Sequence, residues 1–280
     1  MTTKIQNFVI AALAIAFTGA SAGLAEAGRG GGVERMRHAV ASGSTDAIIA
    51  EVERAERLVC LECVPVVMDL LDDDRYEIRE VAAWWFAKRP ALAAELRQRS
   101  LTDLQGKDAR LVRNAADFLG TLGRPDAIAA LAAVSRNAQL AAEARQHAVR
   151  ALGSIGHHDG NTAIAAAMSD ADAAVRLEAL DAWASILGQR SAAPVVACIA
   201  DGDARIRARA AAVAGELREA SARQALEGAL TDVDPSVRRN AAWALGQIGD
   251  AASRGALEAA ARDASPLVRR TAAAAIHQLH

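Results

Sequence analysis

The chain has 280 residues, of which 52% are hydrophobic, 3% aromatic and 24% charged, with a formal net charge of -2. That charge supplies no overall basic excess for holding nucleic acid through counterion release. Alanine carries much of the apolar fraction, and a core of small helix formers suits thin stacked helical layers better than one thick globular core.

The elements begin with a targeting segment. Lys4 precedes an uncharged apolar run from Phe8 to Phe17, followed by two small-x-small sites, Ala20-Ser21-Ala22 and Ala25-Glu26-Ala27. This is the three-part layout of a secretory signal peptide. The run is shorter than the roughly 20 residues a spanning helix needs. The expectation is a signal peptide over residues 1–27, a periplasmic or secreted chain starting near Gly23 or Gly28, and no membrane span after cleavage. A glycine-rich leader from Gly28 to Gly32 follows, then two helical stretches, Val33 to Ser42 and Thr45 to Leu58, the second carrying Glu51, Glu53, Arg54, Glu56 and Arg57. A solenoid needs a polar cap at its end, and residues 28–58 are placed to be leader and cap.

Cys60-Leu61-Glu62-Cys63 comes next. Two cysteines three apart at a helix start lie near each other, and the helix dipole lowers a thiol pKa there. In an exported protein they suit a disulfide or a metal. A thioredoxin-like site needs a βαβ setting, which is missing. Covalent haem attachment needs a histidine after the second cysteine, where Val64 stands. A closed zinc site needs two further ligands, and no second pair is visible. A disulfide between Cys60 and Cys63, structural or inert, is the simplest reading, and no metal site is assigned. The aromatic cluster Trp84-Trp85-Phe86 follows, with Tyr76, Arg79 and Arg89 nearby. Adjacent residues on a helix point about 100 degrees apart, so one helix face cannot bury both tryptophans fully. Trp, Tyr and Arg dominate binding energy at interfaces, which makes Tyr76, Trp84, Trp85 and Arg89 binding candidates.

A repeat organises the rest. An apolar residue followed by arginine recurs at Arg79, Arg113, Arg145, Arg176, Arg207, Arg238 and Arg269, and the last five are spaced by 31. Such a period means stacked supersecondary units. Alanine lies three residues after every one of these arginines, at Ala82, Ala116, Ala148, Ala179, Ala210, Ala241 and Ala272. Aspartate lies six before most, at Asp73, Asp170, Asp201, Asp232 and Asp263, while Gln139 breaks the pattern. Asp234 can cap a helix whose first residue is Pro235, and Ser265-Pro266 repeats the device. The helix then shows Val237, Ala241, Ala242, Leu245 and Ile248 on one face and stops at Gly249, as its equivalents stop at Gly123, Gly156 and Gly188. Each unit is a first helix, an Asp-bearing turn, a second helix and a glycine. Each arginine falls beside a turn aspartate of its own or a neighbouring unit and within reach of turn carbonyls. That makes it scaffold, each joint worth of the order of 1 kcal/mol.

The segments DVDPSVRRNAAWALGQIGD (232–250) and DADAAVRLEALDAWASILG (170–188) resemble the HEAT-like repeats of the phycobilisome-lyase type. The likeness runs roughly from Cys60 to His280, with solenoid residues 59–280. It implies an all-α solenoid, a right-handed superhelix of about seven stacked helix pairs. Second helices would line a concave face, and the arginines and aspartates would form a ladder joining successive turns. The resemblance includes lyases that attach bilins to proteins, but an exported chain does not meet that substrate. A related helical-repeat family, the deoxyhypusine hydroxylases, holds iron through His-Glu pairs, and this chain has no His-Glu dipeptide.

The remaining candidates are few. His157-His158-Asp159 falls in an inter-repeat loop, where capping by Asp159 explains it more simply than a metal does. Cys198 reads as a buried small apolar residue. Trp183 and Trp243 lie in second helices and are candidates for core packing or for binding. No nucleophile, base and orienting group are arranged together, so no catalytic residue and no cofactor are assigned. The leading expectation is a scaffold or adaptor presenting a concave helical surface to a protein or peptide. The alternatives are a lyase-like or cofactor-handling enzyme, and a redox or metal protein using Cys60 and Cys63.

Overall fold

The computed structural model describes residues 31–186 and 193–280. The expected signal peptide and Gly188 lie outside them. Sixteen α-helices and no strand are found among the described residues. They fall into two compact units, one up to Leu122 and one from Gly123. No helix among the described residues is long and apolar enough to cross a membrane.

The N-terminal unit holds α1 (Gly31–Ser42), α2 (Thr45–Ala55), α3 (Cys63–Leu70), α4 (Tyr76–Ala87), α5 (Pro90–Asp103) and α6 (Ala109–Leu122). Ser44 caps α2 by accepting from the Ala47 N–H, and α5 begins on Pro90, whose missing N–H would have had no helical partner. The unit has one core. Val33 and Met36 of α1, Ile48 and Val52 of α2, Val67 of α3, and Ile78, Trp85 and Phe86 of α4 are buried together. The charged α1–α2 segment therefore contributes an apolar face to this core, while Glu51 of α2 is buried and paired with Arg54.

The C-terminal unit is five helix pairs. First helices are α7 (Ile128–Ser135), α9 (Asn161–Ala167), α11 (Ala193–Val196, continued by a 3-10 turn to Ala200), α13 (Arg223–Ala229) and α15 (Arg254–Ala260). Second helices are α8 (Ala142–Ile155), α10 (Ala173–Ser185), α12 (Ala204–Leu217), α14 (Pro235–Ile248) and α16 (Pro266–Ile276). Each second helix packs on the next, α8 on α10, α10 on α12, α12 on α14 and α14 on α16. With α3–α4 and α5–α6 this makes seven pairs, an all-α solenoid architecture.

The phase-locked residues are the packing layer. All seven alanines three past the arginines are 0% exposed. The residue before each arginine is buried as well, from Ile78 to Val268. A methyl-sized side chain at these sites lets neighbouring helices approach closely. Helical glycines eight past an arginine take this further. A Cβ on Gly215 would lie 2.7 Å from Ala244 Cα, and one on Gly246 2.9 Å from Ala275 Cα. The second helices thus touch backbone to side chain where glycine meets alanine.

Turn chemistry follows the same phase. Asp172, Asp203 and Asp234 accept from the backbone N–H two residues on and cap α10, α12 and α14. Gly156 and Gly249 end α8 and α14 in the left-handed region, at φ 65° and 77°. Arg218 holds the corresponding position after α12 at φ 52°, the one non-glycine there among the described residues. A side chain in that region costs about 1–2 kcal/mol. Two substitutions test this register by urea denaturation. Gly215→Ala is expected to lower stability by about 1–3 kcal/mol through overpacking, although alanine is the better helix former by about 1 kcal/mol. Arg218→Gly is expected to raise it by about 1 kcal/mol.

Candidate functional site

The repeated turns of the C-terminal unit carry a continuous chain of ion pairs. Arg145 binds Asp170 through Nε and Nη2 at 2.8 and 2.7 Å. Arg176 binds Asp201 in the same fork at 2.8 and 3.0 Å. Arg207 binds Asp232 at 2.7 and 2.9 Å, and Arg238 binds Asp263 at 2.7 and 3.0 Å. Each pair spans 25 residues, from one second helix to the turn of the following unit. The third nitrogen, Nη1, donates backwards. In Arg176, Arg207 and Arg238 it reaches the carbonyls of Asp170, Asp201 and Asp232 at 2.7–2.9 Å. Arg269 closes the series on the Asp263 carbonyl at 2.8 Å and is exposed. Every internal aspartate therefore takes the previous unit's arginine on its carboxylate and gives its carbonyl to its own. The carboxylates also accept the N–H two residues on, as Asp232 does from Asp234 at 2.8 Å.

Planar bidentate pairing is what arginine does and lysine does not. The side chains are mostly shielded, with exposures of 9–17% for the arginines and 11–12% for the aspartates. The hydrogen bonds of Arg207 and Arg238 hold the Asp232 and Asp263 carboxyls below the usual carboxylate range. At Asp170 and Asp201, burial pushes upward, and the arginine and backbone hydrogen bonds outweigh it.

The N-terminal unit uses the same residue types differently. Arg79 Nη1 reaches the Asp73 and Asp74 carbonyls at 2.7 and 2.8 Å, but its Nε binds Asp117, 38 residues on, at 2.8 Å. This pair is deeply buried, at 2% and 1% exposure. Asp73 is taken by Arg75, whose Nη1 also reaches the Gly43 carbonyl at 2.8 Å. Arg113 lies beside Asn114 and, at 3.6 Å, Asp74.

The aromatic candidates separate by burial. Trp85 is 0% exposed, and its Nε1–H is buried without an acceptor among the described residues. It packs edge-on to Phe86 with ring centroids 5.2 Å apart. Trp183 is 5% exposed. Trp85, a binding candidate, has no exposed surface, and Trp183, weighed for core packing or for binding, is nearly all covered. Arg89 lies over the Trp85 ring, 3.3 Å from its centroid, and donates to the Trp85 and Glu56 carbonyls at 2.7 and 3.0 Å. It thereby fastens the end of α2 to the end of α4, with burial lowering the pKa of its guanidinium. Trp84 is half-buried, with Lys88 Nζ 5.7 Å above its ring. Tyr76 is half-buried, its hydroxyl on Glu80 at 3.2 Å. Trp243 is 37% exposed, above Gly215.

The N-terminal unit also holds a pocket of about 420 Å³, which Arg89 of these candidates lines. Leu58, Val59, Cys60, Leu61, Val64 and Leu92 give it an apolar wall, and Arg57, Lys88 and Arg89 stand with Glu56 and Glu95 around it. Leu58, Val59 and Leu61 are exposed at 38%, 87% and 51%. They ride on the turn between α2 and α3, which a Cys60–Cys63 disulfide closes. Cys198 is a free, buried cysteine, and burial pushes its thiol up. His157, His158 and Asp159 hold their ligand atoms within 4.8 Å of one another, with His157 Nδ1 accepting from the Asp159 N–H at 3.3 Å.

The family model for HEAT repeats matches residues 192–277. No curated protein matches the sequence. Among solved structures the chain is similar to YibA of E. coli, with a TM-score of 0.59 and 13% identity over 88% of this chain and 91% of that one. It is similar to Kap95p from a complex with RanGDP, with a TM-score of 0.62 and 14% identity over 88% of this chain and 41% of that one. The likeness to the complex of CpcE and CpcF of phycocyanin lyase from Nostoc sp. PCC7120 is looser, with a TM-score of 0.40 and 19% identity over 78% of this chain and 94% of that one, and no function follows from it. At these identities the likeness is one of fold. Residues 192–277 match HEAT repeats, and the described residues share the fold of a HEAT-like helical-repeat solenoid.

The ladder carboxyls set an acid limit. Their folded pKa values lie below an unfolded value near 3.9, so their stabilisation is complete above about pH 4 and is lost as pH falls through the folded values. Urea unfolding from pH 6 to pH 3 is expected to show a plateau, then a decline below about pH 4. Asp232→Asn is expected to shallow that decline while lowering the plateau.

Proposed function

We propose that this chain is an exported scaffold, processed after Ala22 or Ala27, that holds a protein or peptide partner at the pocket of the N-terminal unit. The observation that carries the reading is the trio Leu58, Val59 and Leu61, large apolar side chains left in water beside an apolar pocket. Exposed clusters of this kind mark interaction sites, because burying them gains about 25 cal/mol per Å². The Cys60–Cys63 link closes their turn before any partner arrives, which reduces the ordering cost of binding. Half-buried Trp84 and its neighbour Lys88, which lines the pocket, extend the surface with an amphipathic ring and a cation. The fold supports the same reading, since Kap95p, which shares it, binds RanGDP. Export is supported by Lys4, the Phe8–Phe17 run and the small residues after it.

A single capture experiment tests both parts. The tagged full chain is recovered from the periplasm beside its Leu61→Asp and Trp243→Ala variants, and the N-terminus of each bait is sequenced. Wild type and Trp243→Ala are expected to bring down the same polypeptides. Leu61→Asp, a surface change, is expected to keep its thermal midpoint and to retain roughly a tenth or less of them, a loss of about 1.4 kcal/mol. Equal recovery by all three overturns the pocket, and an intact Met1 overturns export.

A further inference from the structure

The disulfide borders the proposed binding pocket, and its two sulfurs are not equivalent. Cys60 is half-buried and lines the pocket, whereas Cys63 is 0% exposed as the first residue of α3. Of the two, only Cys60 lines the pocket that an incoming group would occupy. Arg57, Lys88 and Arg89 stand there against Glu56 and Glu95, so cationic side chains outnumber carboxylates where an approaching thiolate would sit. The group released by attack on Cys60 is the Cys63 thiolate. It lies at the N-terminus of an eight-residue helix, where the helix dipole favours negative charge.

We infer that Cys60–Cys63 is a thiol–disulfide exchange site for a polypeptide bound through apolar side chains, with Cys60 as the attacked atom and Cys63 as the leaving group. The inference rests on the binding reading above and names the chemistry of the partner, a chain carrying two cysteine thiols near apolar residues. In the first step a partner thiolate attacks Cys60 Sγ. The Cys60–Cys63 bond breaks, a mixed disulfide forms, and Cys63 leaves as a thiolate that takes up a proton. In the second step the partner's other thiolate attacks its own first sulfur, and Cys60 leaves as a thiolate and is protonated. Two electrons pass from the partner dithiol to the chain, which ends as the dithiol after one turnover, and the partner ends with a new disulfide. No outside oxidant enters that turnover.

The experiment mixes oxidised full-length protein with a short synthetic peptide carrying two cysteines flanked by leucines. A second peptide has aspartates for the leucines, and a third keeps the leucines with serines for the cysteines. Mass spectrometry reads the peptide disulfide and the alkylation of Cys60 and Cys63, and fluorescence anisotropy reads binding of the serine peptide. The expected result is one equivalent of oxidised leucine peptide per chain, with Cys60 and Cys63 becoming alkylatable. Oxidation of the aspartate peptide, and of the leucine peptide by the Leu61→Asp variant, is expected to be roughly tenfold slower. Cys63→Ser, offered the leucine peptide with its cysteines as mixed disulfides with glutathione, is expected to become linked to it through Cys60. If the serine peptide binds while the leucine peptide stays reduced and Cys60–Cys63 intact, exchange is overturned and binding stands. If oxidation is equally fast for leucine and aspartate peptides, the pocket does not select the substrate and the inference also falls. If the serine peptide does not bind at all, the pocket reading fails with it.

Discussion

An arginine that grips two successive turns at once is the joint on which the C-terminal unit depends. Its Nη1 satisfies a carbonyl in its own turn, and its other two nitrogens hold the carboxylate of the next. The geometry closes only when the next turn sits 25 residues ahead and presents its aspartate at the right height. Insertion or deletion in a single unit would break one fork. The strict spacing of 31 is what a chain of such forks requires. Each link uses groups that would otherwise be costly to bury, since turn carbonyls and a carboxylate satisfy one guanidinium, and hydrogen bonds to charged groups contribute about 1.5–3 kcal/mol each.

The alanines and glycines follow from that spacing. With turns tied at fixed height, second helices must lie close together, and only small side chains fit the contact. Ala179, Ala210 and Ala241 are fully buried, and Gly215 and Gly246 face alanines of the next helix. Hydrogen-bonded turns and small-residue layers are thus two expressions of one constraint. The N-terminal unit is released from it. Arg79 finds Asp117 on α6, Asp73 is held by Arg75, and larger side chains, Trp85 and Phe86 among them, fill the core. An irregular unit leaves irregular surfaces, and the apolar pocket and its disulfide-closed turn lie there.

The periodic part of this structure was legible because both partners of each joint are in the repeat. Asp232 and Arg238 recur with their neighbours, so helix, turn and stop could be assigned from Asp234, Pro235 and Gly249 alone. Which aspartate each arginine takes was not legible, since the own-turn aspartate six residues before and the next unit's 25 residues after both recur in the same register. The pairing of Arg79 with Asp117 lies outside any register and depends on how α4 meets α6. Trp84 and Trp85 could be split in principle by their 100-degree offset. Which one turns inward depends on the tertiary core, which Trp85 shares with Met36 of α1 and Val52 of α2. The surface trio escaped notice for a simpler reason. Leu58, Val59 and Leu61 sit in a turn with no helical period, and only the disulfide and the neighbouring helices decide that they face water.

The central claim is that the fork couples consecutive units, and a double-mutant cycle on Arg145 and Asp170 measures it directly. This pair is among the best shielded in the series, at 9% and 11% exposure. Unfolding free energies of wild type, Arg145→Ala, Asp170→Ala and the double variant isolate the pairwise part. The account predicts a coupling of about 1.5–3 kcal/mol. A coupling under about 0.5 kcal/mol, the scatter of independent sites, would contradict it and leave the alanine and glycine contacts to hold the repeats in register alone.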